Sequence, residues 1–209
     1  MIAAMNDIRT APSGVRGPAE TEKRDAIVNA AKEHFSLYGY GKTTVSDLAK
    51  AIGFSKGYIY KFFDSKQAIG EAICAGCLGE ITSLVEEALV DATTATEKFR
   101  RVFKTISENS AALFFDERKL YDIAAVSALE RWGSSQAYVD HVSALLQTII
   151  LEGRESGEFE RKTPLDETLR GIMHVLEPFM NPLMLQHKLD ELPDAPNEVT
   201  NLVLRSLAP

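Results

Sequence analysis

The side chains best suited to binding a polyanion lie in one short segment, residues 55–63, with the sequence SKGYIYKFF. Ammonium groups contact phosphates, and lysine and tyrosine side chains can also reach the edges of bases. Four such side chains follow one another closely here, namely Lys56, Tyr58, Tyr60 and Lys61. Ser55 is a suitable helix N-cap, and Gly57 allows the backbone to approach a ligand closely. The segment therefore has the chemistry of a nucleic-acid-binding helix.

Two short helices joined by a tight turn are predicted to position these side chains. Thr44 and Asp47 have the spacing of a capping box, in which each side chain accepts a hydrogen bond from the other residue's backbone N–H. Gly53 is expected to end this first helix, and Ser55 to begin the second. The pattern predicts a helix-turn-helix, whose second helix fits the major groove of DNA.

Helix N-termini add candidate phosphate contacts, because their free N–H groups and the helix dipole attract anions. Thr43 and Thr44 stand at the start of the first of these helices, and Lys66 near the start of the helix that follows. The complete set of predicted DNA-binding residues is Thr43, Thr44, Ser55, Lys56, Gly57, Tyr58, Tyr60, Lys61 and Lys66.

The alternative interpretation is that the helix-turn-helix shape serves only core packing, with Lys56 and Lys61 as solvated surface residues. The interleaving of aromatic and basic residues on so short a helix favours DNA binding.

Helical periodicity continues through the rest of the chain, and no segment shows the sustained alternation typical of a strand. A first helix is predicted from Thr21 to Gly39, and a long fourth helix after Ser65 is expected to bridge the two parts of the protein. A fifth helix is capped by Thr94. Later helices are predicted at about 116–131, 135–156, 164–177 and 197–207, with Pro178 and Pro182 kinking or interrupting the eighth.

The sequence therefore predicts an all-α protein of about nine helices. Residues 20–66 form the predicted N-terminal three-helix domain with the helix-turn-helix, and residues 67–209 form a helical bundle. Residues 1–19 contain prolines and glycines without apolar periodicity and are predicted to be a flexible tail. Arg9 and Arg16 in that tail either have no role or reach the adjacent minor groove.

Composition and charge narrow the class of protein further. The chain has 209 residues, 45% apolar and 25% charged, with a net charge of -7. Residues 1–67 hold ten Lys/Arg and seven Asp/Glu, whereas residues 68–209 hold thirteen and twenty-three. The basic charge thus lies at the end with the helix-turn-helix, as expected for a small DNA-binding module on a larger acidic body.

Several other classes of protein are not indicated. No run of about 18 to 20 apolar residues suggests a membrane span, and the first twenty residues lack a signal-peptide core, so a cytoplasmic location is expected. The sequence has no metal-ligand spacing, Gly-rich phosphate loop or nucleophile–base motif, so we expect neither a metal, a cofactor nor an enzyme activity.

The segment TTVSDLAKAIGFSKGYIYKFFDSKQAIGEAI, residues 43–73, resembles the helix-turn-helix signature of TetR/AcrR-type transcriptional regulators. Phe35 and Gly39 extend the resemblance back to about residue 21, and EGRESGEF at residues 152–159 resembles the family's regulatory domain. The resemblance implies a homodimer that binds a palindromic operator. It also implies a C-terminal domain that binds a small-molecule inducer and dimerises through its last two long helices.

The resemblance also implies individual roles for the candidate residues. Lys56, Tyr58 and Lys61 would read or approach bases, whereas Thr44, Tyr60 and Lys66 would contact phosphates. Tyr58 occupies a position where the family often has Thr or Ala, so the base preference does not transfer.

The large side chains of the C-terminal region are candidates for a ligand pocket between helices. The predicted ligand-binding residues are Phe103, Tyr121, Trp132, Tyr138, Met173 and His174. Each of them can equally belong to an ordinary core, and this holds above all for His174. Two apolar stripes are candidate dimerisation faces or, equally, intrachain core: Leu169, Ile172, Met173, Leu176 and Met180, and Val199, Leu202, Val203 and Leu207.

Two hypotheses for the regulatory trigger follow. The first is a dimeric repressor released from its operator by a small-molecule ligand. The second is a redox-responsive repressor switched through Cys74 and Cys77, which form a CxxC sequence in the fourth helix. That helix also contains Gly70, Gly76 and Gly79, which allow either close packing or bending.

Overall fold

The computed structural model of the chain describes residues 18–209. The predicted tail as far as residue 17, with Arg9 and Arg16, lies outside the described residues. Within them the structure contains ten α-helices, one short 3-10 helix and no strand. They are α1 (Pro18–Tyr38), α2 (Val45–Ile52), α3 (Lys56–Ile59), α4 (Lys66–Leu89), α5 (Ala95–Asp116), α6 (Arg118–Leu129), α7 (Gly133–Ser156), α8 (Leu165–Met180), α9 (Pro182–Leu185), the 3-10 helix (Leu189–Glu191) and α10 (Asp194–Leu207). The all-α prediction is confirmed.

The local signals for α2 and α3 act as the sequence predicts. Thr44 and Asp47 form a complete capping box at the start of α2, and Gly53 ends α2 in the left-handed conformation with φ of 76°. Ser55 caps α3, its hydroxyl accepting a hydrogen bond of 3.1 Å from the backbone N–H of Tyr58. The α-helix ends earlier than the apolar pattern suggests, at Ile59, because the chain tightens into i to i+3 hydrogen bonds before it enters α4.

Two hydrophobic cores hold the helices together. The first lies under α1, α2 and α3, and it also includes Ile69 and Ile73 from α4, Leu120 and Ile123 from α6, and Trp132. The second joins α4, α5, α7, α8 and α10. Packing of the first core therefore crosses residue 66, where the sequence placed the end of the DNA-binding domain. That domain boundary stays a prediction.

Helix α4 contributes buried side chains to both cores and packs against α1, α5, α6 and α7. Among the described helices it is the one long and apolar enough, by length and composition alone, to cross a membrane. The helix lies between two cores, and a helix in that position needs apolar residues on more than one face.

The two prolines near the end of α8 divide the chain as follows. Pro178 lies within α8, which ends at Met180, and Pro182 is the first residue of the short helix α9. Asn181 caps α9 by accepting a hydrogen bond of 3.0 Å from the backbone N–H of Leu183. The sequence predicts a kink or an interruption of the eighth helix at these prolines, and the structure shows a separate short helix after Asn181.

The turn between α7 and α8 closes the second core. The ring of Phe159 packs directly against Gly153, and the Glu158 carboxylate accepts hydrogen bonds of 3.0 Å from the backbone N–H groups of Ala95 and Thr96 at the start of α5. Partial burial raises the pKa of Glu158, but these hydrogen bonds outweigh it, so the pKa lies below its ordinary value. Glu158 thus supplies α5 with a second N-terminal cap.

The Gly153→Ala substitution is expected to destabilise the fold. A Cβ atom at Gly153 would lie 2.2 Å from Cδ2 of Phe159, so the ring must move within a packed core. Overpacking of this kind costs about 1–3 kcal/mol, and urea unfolding monitored by circular dichroism measures the loss. Gly79→Ala is the control, because a Cβ there has no neighbour within 4 Å. Equal stability of the two variants would contradict the packing argument.

Candidate nucleic-acid interface and ligand cavity

Six of the nine residues predicted to bind DNA are exposed, at the start of α2 and around α3. They are Thr44, Ser55, Lys56, Gly57, Tyr60 and Lys61. Ile59 of the same helix is fully buried and fixes α3 to the first core. The short helix therefore points its apolar side inward and its basic and aromatic side outward.

Aromatic rings support the two lysines at this surface. The Nζ atom of Lys56 lies 5.7 Å from the ring centre of Tyr60, and that of Lys61 lies 5.8 Å from the ring centre of Tyr58. Tyr58 is half-buried between Phe54 and Phe62, with ring centres 4.7 Å and 5.4 Å away. These contacts orient the ammonium groups while leaving them accessible to an anion.

Thr44 combines a structural role with an exposed position. Its hydroxyl donates to the Asp47 carboxylate at 2.7 Å, and its backbone N–H donates to the same oxygen at 2.9 Å. These hydrogen bonds hold the pKa of Asp47 below its ordinary value. The capping box fixes the start of α2 and keeps Thr44 exposed there.

Thr43 and Lys66, both predicted to contact phosphates, are instead hydrogen-bonded within the protein. Thr43 is only 2% exposed, and its hydroxyl donates to the carbonyl of Gly39 at 2.9 Å, so it is not available to DNA in this conformation. The Lys66 ammonium is half-buried, donating to the carbonyl of Tyr40 at 3.1 Å and lying 4.2 Å from its ring centre. Both side chains hold the segment between α1 and α2.

A cavity of about 390 Å³ lies between α4, α6, α7 and α8. Its size is within the range of small-molecule sites in proteins. Fifteen residues line it: Cys74, Leu78, Ala124, Ala128, Arg131, Ser135, Gln136, Tyr138, Val139, Met173, His174, Glu177, Met180, Asn181 and Pro182. Most of these are apolar or small, and the polar ones lie in the α6–α7 turn, in α7 and at the end of α8.

The cavity contains half of the residues that the sequence singled out for a ligand. Tyr138, Met173 and His174 line it, whereas Phe103 and Trp132 are buried in the second and first cores. Tyr121 is also buried, and its hydroxyl donates to the Pro182 carbonyl at 2.6 Å. The small residues of the wall, Ala124, Ala128 and Ser135, were not predicted, because the prediction was made from large side chains alone.

The two thiols of α4 lie in different surroundings. Cys74 lines the cavity, and burial raises the pKa of its thiol, although hydrogen bonds from Ser127, Ser134 and Ser135 oppose the shift. Burial also raises the pKa of Cys77, to about 11. Both groups are therefore almost entirely protonated at neutral pH, and thiols in that state react slowly with oxidants. Among the described residues, no group of three or more His, Cys, Asp or Glu is arranged to hold a metal ion.

An exposed basic and aromatic helix-turn-helix joined to a second helical domain defines the class of DNA-binding regulators. Comparison with family models identifies the family. The model for bacterial regulatory proteins of the tetR family matches residues 27–73, and the model for the tetracyclin repressor-like C-terminal domain matches residues 95–200. The chain belongs to the TetR family of DNA-binding transcriptional regulators, which are not enzymes.

Individual relatives agree with this assignment. The fatty acid metabolism regulator protein of Bacillus subtilis is 29% identical over 141 residues, which are 64% of this chain and 69% of that protein. The fatty acid degradation regulator FadR of Bacillus halodurans has a TM-score of 0.66 and 25% identity, covering 91% of this chain and 97% of its own. FadR of Bacillus subtilis, solved with stearoyl-CoA, shares the fold, with a TM-score of 0.62, 23% identity, and 86% and 97% coverage.

Replacing Lys56 by Ala is expected to weaken DNA binding and its dependence on salt. Each lost phosphate contact lowers the slope of log K against log salt by about 0.9, and a lost base contact costs about 1–3 kcal/mol of discrimination. Fluorescence anisotropy with an operator obtained by in-vitro selection measures both effects.

Lys104→Ala is the matched control for this experiment, because Lys104 is an exposed lysine on α5, in the C-terminal part of the chain. If Lys104→Ala lowered the affinity as much as Lys56→Ala, the role of the α3 surface would be refuted.

Proposed function

We propose that the protein is a dimeric repressor that leaves a palindromic operator when a small molecule occupies the cavity between α4, α6, α7 and α8. The proposal is supported by the position of α4, which contacts both the cavity and the DNA-binding domain. Its Cys74 and Leu78 line the cavity, while Ile69 and Ile73 lie in the core beneath the helix-turn-helix. A ligand that fits one arrangement of α4 better than another shifts the population of DNA-binding states. Since it acts on DNA, we place the protein in the cytoplasm.

A fatty acyl compound is the ligand class that we propose. The wall contains Leu78, Val139, Met173 and Met180, and flexible methionines adapt to unbranched chains. Similar proteins are named as regulators of fatty acid metabolism or degradation, and FadR of Bacillus subtilis was solved with stearoyl-CoA. Arg131 and Gln136 also line the cavity and would contact the polar end of such a molecule.

Lauroyl-CoA and lauric acid are therefore expected to bind the protein and to release it from its operator. Isothermal calorimetry measures binding, and anisotropy of labelled operator DNA measures release. The Ala128→Phe variant should lose at least tenfold in acyl affinity, because Ala128 lines the cavity and the ring fills part of it.

Ala144→Phe provides the control, since Ala144 is exposed on α7 and does not line the cavity. Equal acyl affinity in the two variants, or acyl binding without any release of the operator, would overturn the proposed trigger.

The proposed dimer interface lies on the outer faces of α8 and α10. Ile172, Leu176, Val203 and Leu207 of the two sequence stripes are buried in the chain's own core, so they serve intrachain packing. The apolar side chains left exposed are Val175 on α8, at 38%, and Leu202 on α10, at 61%. In a two-fold dimer the two copies of α3 would have to lie about 34–36 Å apart to enter successive major grooves.

A double substitution, Val175→Glu with Leu202→Glu, is expected to produce monomers and to abolish specific operator binding. Sedimentation should give about twice the chain mass of 23.0 kDa for the wild type and the single mass for the variant. Val90→Glu is the matched control, because Val90 is 84% exposed just beyond the end of α4 and belongs to neither α8 nor α10. A wild-type protein that sediments as a monomer while bound tightly to a palindrome would contradict this interface.

Ligand binding is favoured over oxidation as the trigger. The redox alternative requires a reactive thiolate, and burial raises the pKa of both Cys74 and Cys77. Cys74 is buried in the wall of the cavity, where it would contact a ligand.

A further inference from the structure

The turn between α6 and α7, residues 130–132, contributes neighbouring residues to two different sites. Arg131 lines the ligand cavity, while Trp132 is 2% exposed and belongs to the core beneath the helix-turn-helix. Arg131 has a positive φ of 55°, which is unusual for a residue other than glycine. This backbone conformation turns consecutive side chains toward the cavity and the DNA-binding domain.

On the DNA-binding side, the Trp132 indole fills a tight space between α4 and Tyr40. Its ring centre lies 5.7 Å from that of Tyr40 in an edge-to-face arrangement. A Cβ atom at Gly70 would lie 3.0 Å both from the indole and from the Tyr40 ring, so glycine is the residue that allows this approach. The indole N–H donates to the Glu130 carboxylate at 2.8 Å, which fixes the ring's orientation.

Tyr40 is in turn hydrogen-bonded to residues near the start of α2 and α4. Its carbonyl accepts hydrogen bonds from the Lys66 ammonium at 3.1 Å and from the Thr43 backbone N–H at 3.3 Å. Thr44, the N-cap of α2, follows directly. A displacement of the Trp132 ring therefore acts on the residues that set the position of the helix-turn-helix relative to α4.

On the cavity side, hydrogen bonds tie the same turn to the wall. The Ser127 hydroxyl forms hydrogen bonds with those of Ser134, at 3.4 Å, and Ser135, and the backbone N–H of Trp132 donates to the Ser127 carbonyl at 2.9 Å. Ser135 lines the cavity beside Arg131. A change in the shape of the cavity thus reaches Trp132 through the backbone that carries it.

We propose that Trp132 is the positioning residue that transmits the state of the cavity to the DNA-binding domain, through its contacts with Gly70 and Tyr40. This inference rests on the proposed function, because it assigns the route by which that cavity regulates DNA binding. According to this proposal, the α6–α7 turn and α4 together couple the cavity to the DNA-binding domain.

A double-mutant cycle that needs no ligand tests the inference. The Ala128→Phe substitution fills the cavity, and operator affinity is measured by anisotropy for the wild type, Ala128→Phe, Trp132→Phe and the double variant, with the operator obtained by in-vitro selection. Filling the cavity should weaken operator binding at least fivefold in the wild-type background and less than twofold in the Trp132→Phe background. Equal factors in the two backgrounds, or no effect of Ala128→Phe in the wild type, would refute the role of Trp132.

A second set of variants tests the same contact while retaining the indole. Gly70→Ala should weaken operator binding at least fivefold and shift the emission of Trp132, which is the only tryptophan of the chain. Gly76→Ala on the same helix meets no neighbour within 4 Å and should leave affinity and emission unchanged. Equal affinities for the two glycine variants would refute the inference even if Trp132→Phe failed to fold. Because no arm uses an acyl compound, failure of lauroyl-CoA to bind would count against the proposed ligand alone.

Discussion

Helix α4 has to fill two hydrophobic cores at once, and the rest of the structure depends on that constraint. Its first turns hold Ile69 and Ile73 against the helix-turn-helix, and its later turns hold Ile81 and Val85 against the regulatory bundle. Because protein interiors are packed as densely as organic crystals, neither set of contacts can shift freely without disturbing the other. Helix α4, together with the α6 side chains and Trp132 that share the first core, therefore fixes the orientation of the DNA-binding surface relative to the cavity.

The parts of the fold that could be predicted from the sequence are those determined by local chemistry. Gly53 and the Thr44–Asp47 capping box act through backbone groups within a few residues, so their spacing alone identifies α2 and the turn. The exposed positions of Lys56 and Lys61 follow from the same local pattern, because Ile59 must be buried. The position of Thr43 was not predictable, since its burial depends on the loop that packs back onto α1.

The cavity was beyond sequence reasoning for a different physical reason. A pocket is a place where helices do not fill the space between them, and its wall depends on the relative positions of α4, α6, α7 and α8. Ala124 and Ala128 matter there because they are small, and a small residue on a helix gives no signal in apolar periodicity. Trp132 was also misplaced by sequence reasoning, because its large aromatic side chain was expected in a pocket. It lies instead in a core whose first residues come about a hundred positions earlier in the chain.

The position of Trp132 also bears on how a modest ligand could control a much larger DNA complex. A ligand shifts an equilibrium only by its difference in affinity for the two states, and a tenfold preference corresponds to about 1.4 kcal/mol. In the proposed dimer both α3 helices enter successive major grooves, so a small rotation of each DNA-binding domain would change the contacts at both half-sites. A rigid indole between Gly70 and Tyr40 cannot absorb a displacement of the α6–α7 turn as a flexible aliphatic side chain would. The close approach that glycine permits at position 70 is therefore the feature through which movement of the cavity wall becomes movement of α2 and α3.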